Sequence, residues 1–414
     1  MKLFTKLLVA PAALGLLAPL SVSATEIDIN GIADYSKSTK TKFKKFDSST
    51  FSNKIANRST LLAGGEGLVE SHNHDGGFSD TTTLTGEASF LVAAATAGDD
   101  VLEGDGAGDD VNLGGTQATY YLGLDLNTSF SGTDNLNIGL ETGNAVNISG
   151  IQTGLVSSIL DYGSTNGDAI KVHNVHYSST IGDKFSYIVG DSLDVSAAFT
   201  GACTYSAFTD ALGDCGTGNS AGTGSDDDVA FSSNYEIGNG FTFGAGIGST
   251  SESVGAFTKE SDDRYAFQLA YESDSYGLAA TYSSFYDADS VDTTYIGLNG
   301  FYTLDNAGIE SISVGWESAD PETGSNGTGW FAGINTSEVG PGSISLGIGT
   351  HSDVATSNPT IVPENTDEAL IYEASYSWDI NDGISATVGG FIQERAAAGS
   401  DDLTGVAMTT TFSF

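Results

Sequence analysis

The residues of this chain that could do chemistry are mostly carboxylic: fifty-four Asp and Glu stand against fourteen Lys and Arg, for a formal net charge of −40. Catalysis needs such groups beside a nucleophile or a base, and no Ser, His and Asp arrangement has positional support, so protease or lipase chemistry is not expected and the chain reads as a non-enzyme. The run EGDGAGDDVNLGG at 103–115 sets Asp105, Asp109 and Asp110 in a glycine-rich stretch suited to loosely held Ca2+. It occurs once, where repeat-type calcium sites need stacked copies. His72 and His74 (HNHD), and His173 and His176, have the residue type of metal ligands without a third ligand at a fitting spacing. No other cofactor and no nucleic-acid partner is expected.

The cations are crowded. Seven of the fourteen lie between positions 37 and 58, and KSTKTKFKKF alone holds Lys37, Lys40, Lys42, Lys44 and Lys45. Ahead of them, MKLFTKLLVAPAALGLLAPLSVSA has two lysines, an apolar run and small residues at Val22 and Ala24. This is the pattern of a secretory signal, with Sec export and cleavage after Ala24 expected. An uncleaved anchor is the weaker rival, because two prolines and an alanine-rich centre make a poor spanning helix. The expected organisation is a signal at 1–24, a basic periplasmic segment at 25–77 and one domain over 78–414. Export also implies an oxidising compartment, where the only cysteines, Cys203 and Cys215, are expected to form a disulfide.

The elements that must position these groups show in the alternation of apolar and polar residues. In YYLGLDLNTSF, at 120–130, Tyr120, Leu122, Leu124, Leu126 and Phe130 share one face, with Gly123, Asp125 and Asn127 on the other. LIYEASYSWDI at 370–380, RYAFQLAYE at 264–272 and YGLAATY at 276–282 follow the same rule, with aromatics at the ends of the apolar face. A period of two is that of a strand. Strands are expected near 80–94, 116–131, 136–146, 169–182, 184–199, 229–238, 241–251, 264–273, 276–286, 291–304, 310–318, 328–337, 343–352, 369–380, 384–394 and 404–414. The links between them alternate. GTDN, GD, NG, DS, DNAG, VGPG and NDG are tight turns, and the others are long runs of Gly, Asp, Ser and Thr. An even strand number with short turns at one end and long loops at the other predicts an all-β transmembrane antiparallel β-barrel of sixteen strands, following a short periplasmic N-terminal extension. Such a barrel is wide enough for a water-filled lumen. The final GVAMTTTFSF, ending on Phe414, resembles the closing strand of bacterial outer-membrane proteins.

MKLFTKLLVAPAALGLLAPL, IANRSTLL at 55–62, FSDTTTLTGEASF at 78–90 and LNTSFSGTDNLNIGLETGN at 126–144 resemble outer-membrane porins of marine cyanobacteria, which are related to the carbohydrate-selective porin family. None of these stretches is an active-site motif. The resemblance implies an outer-membrane location, a bilayer partner, ion and carbohydrate transport, and a homotrimer. Small residues at the outward positions Gly86 and Ala88 offer weak further support for packed barrels. Most family members also carry an S-layer-homology domain and a coiled coil that hold a cell-wall polysaccharide. Residues 25–77 are too short for both.

On this reading Glu87, Asp125, Glu141, Lys171, Glu272, Glu373 and Arg395 line the lumen, and the excess of acids predicts a passive diffusion channel that prefers cations. For any one acid, a solvated place at the rim is an equal reading. The stretch at 201–228 follows the fifth strand, where general porins fold a loop inward, which would set Asp210 and Asp214 at a constriction; an external stapled loop and a constriction formed by 147–163 are the rivals. A structural or adhesive barrel touching the cell wall without conductance is the alternative function, and a soluble acidic calcium-binding protein is a third. For Lys37–Arg58 three roles compete: solvated linker, contact of its lysine cluster with an anionic cell-wall polymer, or periplasmic plug.

Overall fold

The computed structural model describes residues 82–96, 102–103, 110–111, 116–144, 160, 168–209, 223, 227–250, 255–286, 292–304, 308–323, 326–350, 370–394 and 402–414. Expectations that fall on 1–77, including Lys37, Lys40, Lys42, Lys44, Lys45, His72 and His74, lie outside the described residues. So do those on Asp105, Asp109, the side chain of Asp110, Asp210, Asp214, Cys215 and Arg395.

The strands are β1 (Thr82–Thr96), β2 (Leu102–Glu103), β3 (Asp110–Val111), β4 (Gln117–Thr128), β5 (Asn135–Gly143), β6 (Lys171–Ile181), β7 (Phe185–Asp191), β8 (Val229–Gly238) and β9 (Phe241–Thr250). They continue as β10 (Asp262–Glu272), β11 (Tyr276–Tyr286), β12 (Thr293–Thr303), β13 (Ile309–Pro321), β14 (Gly327–Thr336), β15 (Gly342–Thr350), β16 (Leu370–Asn381), β17 (Ile384–Gln393) and β18 (Leu403–Ser413). β2 and β3 pair only with each other. The other sixteen form one closed antiparallel barrel in which each strand pairs with its neighbours in the chain and β1 closes on β18. Closure leaves no unpaired edge, which is what a sheet with an apolar exterior requires.

Register fixes the two faces. Outward on β1 and β4 stand Leu84, Phe90 and Val92 with Leu122 and Leu124; inward stand Glu87, Ser89 and Leu91 opposite Gly123, Tyr121 and Thr119. The outer face is apolar and uncovered around the barrel, as at Phe90, Leu269, Leu278 and Val314. At the short-turn end aromatic rings gather: Tyr271 lies 4.8 Å from Phe241 and 5.4 Å from Tyr276. Asn239 and Gly240, between β8 and β9, both have positive φ (56° and 85°). That is the type I′ hairpin geometry which Asn-Gly favours, because its twist matches that of the strands.

One strand departs from its sequence expectation. Alternation predicted it over 184–199, yet β7 stops at Asp191. At Ser192 the backbone turns to φ 56°, and 193–209 runs inside the barrel. Val195 and Phe199 keep the spacing of a half-buried strand, but they pack on the inner wall and not on the outer face.

Candidate functional site in the barrel lumen

The segment at 193–209 is pinned at its neck. His176 Nε2 lies 2.9 Å from the Ser192 carbonyl oxygen, and the Leu193 N–H donates to the Asp227 carbonyl (3.2 Å), so the outgoing and returning chain meet. Asp227 is fully buried, and its Oδ1 lies 3.0 Å from Arg264 Nε on β10. The Arg264 guanidinium also stacks 4.7 Å from the centre of the Phe285 ring.

From the neck the segment follows the wall. Ser232 Oγ donates to the Val195 carbonyl (2.7 Å) and accepts from the Ala198 N–H (3.0 Å). Asn234 Nδ2 donates to the Ala198 carbonyl (3.0 Å), and Gln268 Oε1 accepts from the Thr200 N–H (3.0 Å). Farther round, Ser313 Oγ accepts from the Thr204 N–H (3.0 Å), and Asn335 Oδ1 from the Ser206 N–H (3.3 Å). A chain inside a barrel has no sheet to join, so its backbone groups must find wall side chains. The inward Ser, Asn and Gln residues of β8, β10, β13 and β14 supply them.

Wall glycines make the seat. A Cβ at Gly244 would stand 2.6 Å from Phe199 Cδ1, one at Gly389 would stand 2.6 Å from Phe208, and one at Gly333 would overlap the Tyr205 ring. The apolar clusters of the described residues lie beneath the segment: Val195, Ala198 and Phe199 against Ile188, Ala230 and Ala266, and Tyr205 against Leu91, Ile371, Phe391 and Leu403. Leu160, from the rival stretch, packs on the second cluster. Cys203 is disulfide-bonded, and the one other cysteine of the chain is Cys215.

The expected lumen carboxylates have different surroundings. Glu373 faces inward on β16, but it is only 5% exposed because Tyr205–Thr209 cover it. Its Oε1 accepts from the Tyr205 hydroxyl and from the Phe208 N–H (2.8 Å); its Oε2 accepts from the Thr209 N–H (2.9 Å) and hydroxyl (2.5 Å). Glu87, Gly123 and Glu141 form one row across β1, β4 and β5, with Lys171 next in register on β6. Strand spacing sets the two glutamates about 10 Å apart. The Tyr121 hydroxyl leans over Gly123 between them, 2.9 Å from where a Cβ would be. Asp125 Oδ1 accepts from Asn137 Nδ2 (3.0 Å). Glu272 shares the inward face of Ala270 and Gln268 and is exposed beside the short turns.

Two residues of this wall gave no usable sequence signal of their placement. A register shift between Gly139 and Leu140 leaves His173 as the extra residue of β6, with its Nδ1 3.5 Å from Glu141 Oε2. His176 belongs to the neck. Among the described residues no group of three or more His, Cys, Asp or Glu side chains is placed to hold a metal.

This architecture is that of the sixteen-strand barrels of outer membranes. Among solved structures the chain is similar to OprB of Pseudomonas putida, with a TM-score of 0.57 at 11% identity over 81% of this chain and 94% of that one. It is likewise similar to a loop L8 deletion mutant of OmpT, an outer membrane protein of Vibrio cholerae, with a TM-score of 0.53 at 12% identity over 81% of this chain and all of that one. No family model and no curated protein matches the sequence. At such identity the likeness is one of fold.

Proposed function

We propose that the chain is a passive diffusion channel of an outer membrane, carrying small hydrophilic solutes and ions with a preference for cations. The observation that carries this reading is the uneven placing of hydrogen-bonding anchors on the inner wall among the described residues. The hydrogen-bonding anchors of the inward segment lie on β8, β10, β13, β14 and β16, whereas Glu87, Asp125 and Glu141, on β1, β4 and β5, are partly exposed on the inner face. A narrowed aqueous path beside a carboxylate wall concentrates negative potential where ions pass, enriching cations. The apolar outer band would contact lipid. A homotrimer is the assembly to test by unheated gels. It draws nothing from Gly86, whose outer surface carries the Phe414 ring.

Reconstitution of the full-length exported protein in planar bilayers tests the proposal. Stepwise conductance with a cation-positive reversal potential in a salt gradient is expected. Anion preference in dilute salt overturns the cation selectivity, and absence of current overturns the channel in favour of a structural barrel.

A further inference from the structure

The inner wall carries carboxylates of the same residue type in two different states, and the difference assigns them different tasks. We infer that Glu373 is a positioning residue: it latches the Tyr205–Thr209 stretch of the inward segment and so sets the width of the pore, while contributing little to its charge selectivity. This rests on the channel reading above.

The geometry is specific to a carboxylate. Each of the two oxygens of Glu373 accepts two donors, from Tyr205 and Phe208 on one side and from the backbone and hydroxyl of Thr209 on the other. Four donors converge on one negative group, and they come from three of five consecutive residues. Hydrogen bonds to an ionised acceptor are the strong ones. An amide of the same shape cannot replace it. Whichever way a glutamine is turned, its nitrogen faces one hydroxyl, which can turn to accept from it, and one backbone N–H, which cannot, so a buried backbone donor loses its partner and the other contacts lose their charged acceptor.

Among the wall contacts described above, Glu373 supplies the charged acceptor for 197–209. The remaining contacts are neutral hydroxyls and amides. The neck is held separately by Asp227 and Arg264, so a failed latch frees the far end without releasing the segment from the barrel. Because the donors occupy the carboxylate oxygens and it is 5% exposed, passing ions cannot contact it directly, whereas Glu87 and Glu141 are partly exposed.

The test compares Glu373→Gln with the double variant Glu87→Gln/Glu141→Gln in the full-length protein. Barrel integrity is checked by the heat-dependent shift on gels. Glu373→Gln should raise the frequency of high-conductance excursions about tenfold, the consequence of leaving one buried backbone donor without its acceptor. It should also admit neutral polyethylene glycols above the wild-type size limit, with the reversal potential unchanged. The double variant should do the converse. Hydrogen exchange on the detergent-solubilised protein adds a readout independent of current: the Tyr205–Thr209 stretch should exchange faster in Glu373→Gln and in Tyr205→Phe/Thr209→Val than in wild type. If wild type conducts nothing, the channel reading fails while exchange still decides the latch. Wild-type exchange in Glu373→Gln overturns the latch. A loss of selectivity equal to that of the double variant overturns the assignment by making Glu373 an ordinary pore-lining charge.

Discussion

Phe414 and Gly86 are joined twice over: the Gly86 N–H donates to the Phe414 carbonyl (2.8 Å), the Phe414 N–H donates to the Gly86 carbonyl (2.9 Å), and the ring of the last residue lies over the glycine. A Cβ at position 86 would stand 2.5 Å from Phe414 Cε2 and 2.9 Å from Leu124 Cδ2. Gly86→Val should therefore force the ring away from the seam between β1 and β18 at a cost of roughly 1–3 kcal/mol. A lower melting temperature of the folded band on gels is the expected outcome, with Phe414→Ala weakening the same seam.

Selectivity should follow the partly exposed acids. A unit charge 4 Å from an ion in water contributes about 1 kcal/mol, or about fivefold in a permeability ratio. Glu87→Gln/Glu141→Gln should lower the cation-to-anion ratio by at least that factor in dilute salt. The difference from wild type should shrink as salt rises, because the Debye length falls to about 3 Å at 1 M. Reversal potentials across a salt series measure both effects.

Acid should loosen the turn between β4 and β5. Asp134 Oδ1 accepts from the Ser129 hydroxyl (3.0 Å) and from the N–H groups of Phe130 (3.0 Å) and Ser131 (2.8 Å), and Oδ2 accepts from the Tyr177 hydroxyl (3.0 Å). The backbone donor of Ser131, then the hydroxyls, hold its carboxyl well below the usual carboxylate range, against the opposing effect of burial. A depressed pKa contributes stability that is present above the unfolded value, about 3.9, and lost as pH falls below it. Melting temperatures should drop below that pH in wild type, with a smaller acid-dependent drop in Asp134→Asn.

The neck should tolerate removal of both charges better than of one. Arg264→Met leaves Asp227 buried without its cation, and such half-removal costs about 3–5 kcal/mol. Arg264→Met/Asp227→Leu should recover part of that loss, a difference that a double-mutant cycle on thermal unfolding measures.

Strand positions were legible because a period of two is written locally. Leu122, Leu124 and Leu126 declare one face without reference to anything else in the chain. The turns were legible for the same reason, as at Asn239 and Gly240. The path of 193–209 was not, since Val195 and Phe199 alternate as they would on an outer face; what draws them inward is a glycine-lined wall at Gly244, Gly246 and Gly248, about fifty residues away. Glu373 and Glu87 look alike in sequence, each between apolar or small residues of a strand. One is covered and the other partly exposed because Tyr205–Thr209 lie over β16. His173 reaches Glu141 through a register shift that no residue of β6 announces.

The reach of the segment has a consequence for the order of events during assembly. Residues 193–209 are made after the fifth barrel strand, yet the groups that receive Thr204–Thr209 lie on β13, β14 and β16, with Tyr205 and Glu373 separated by 168 positions. Those acceptors acquire their places only when the later strands have zipped into the sheet. The far part of the inward segment is thus encoded early and seated late, after its first part has found β8 and β10.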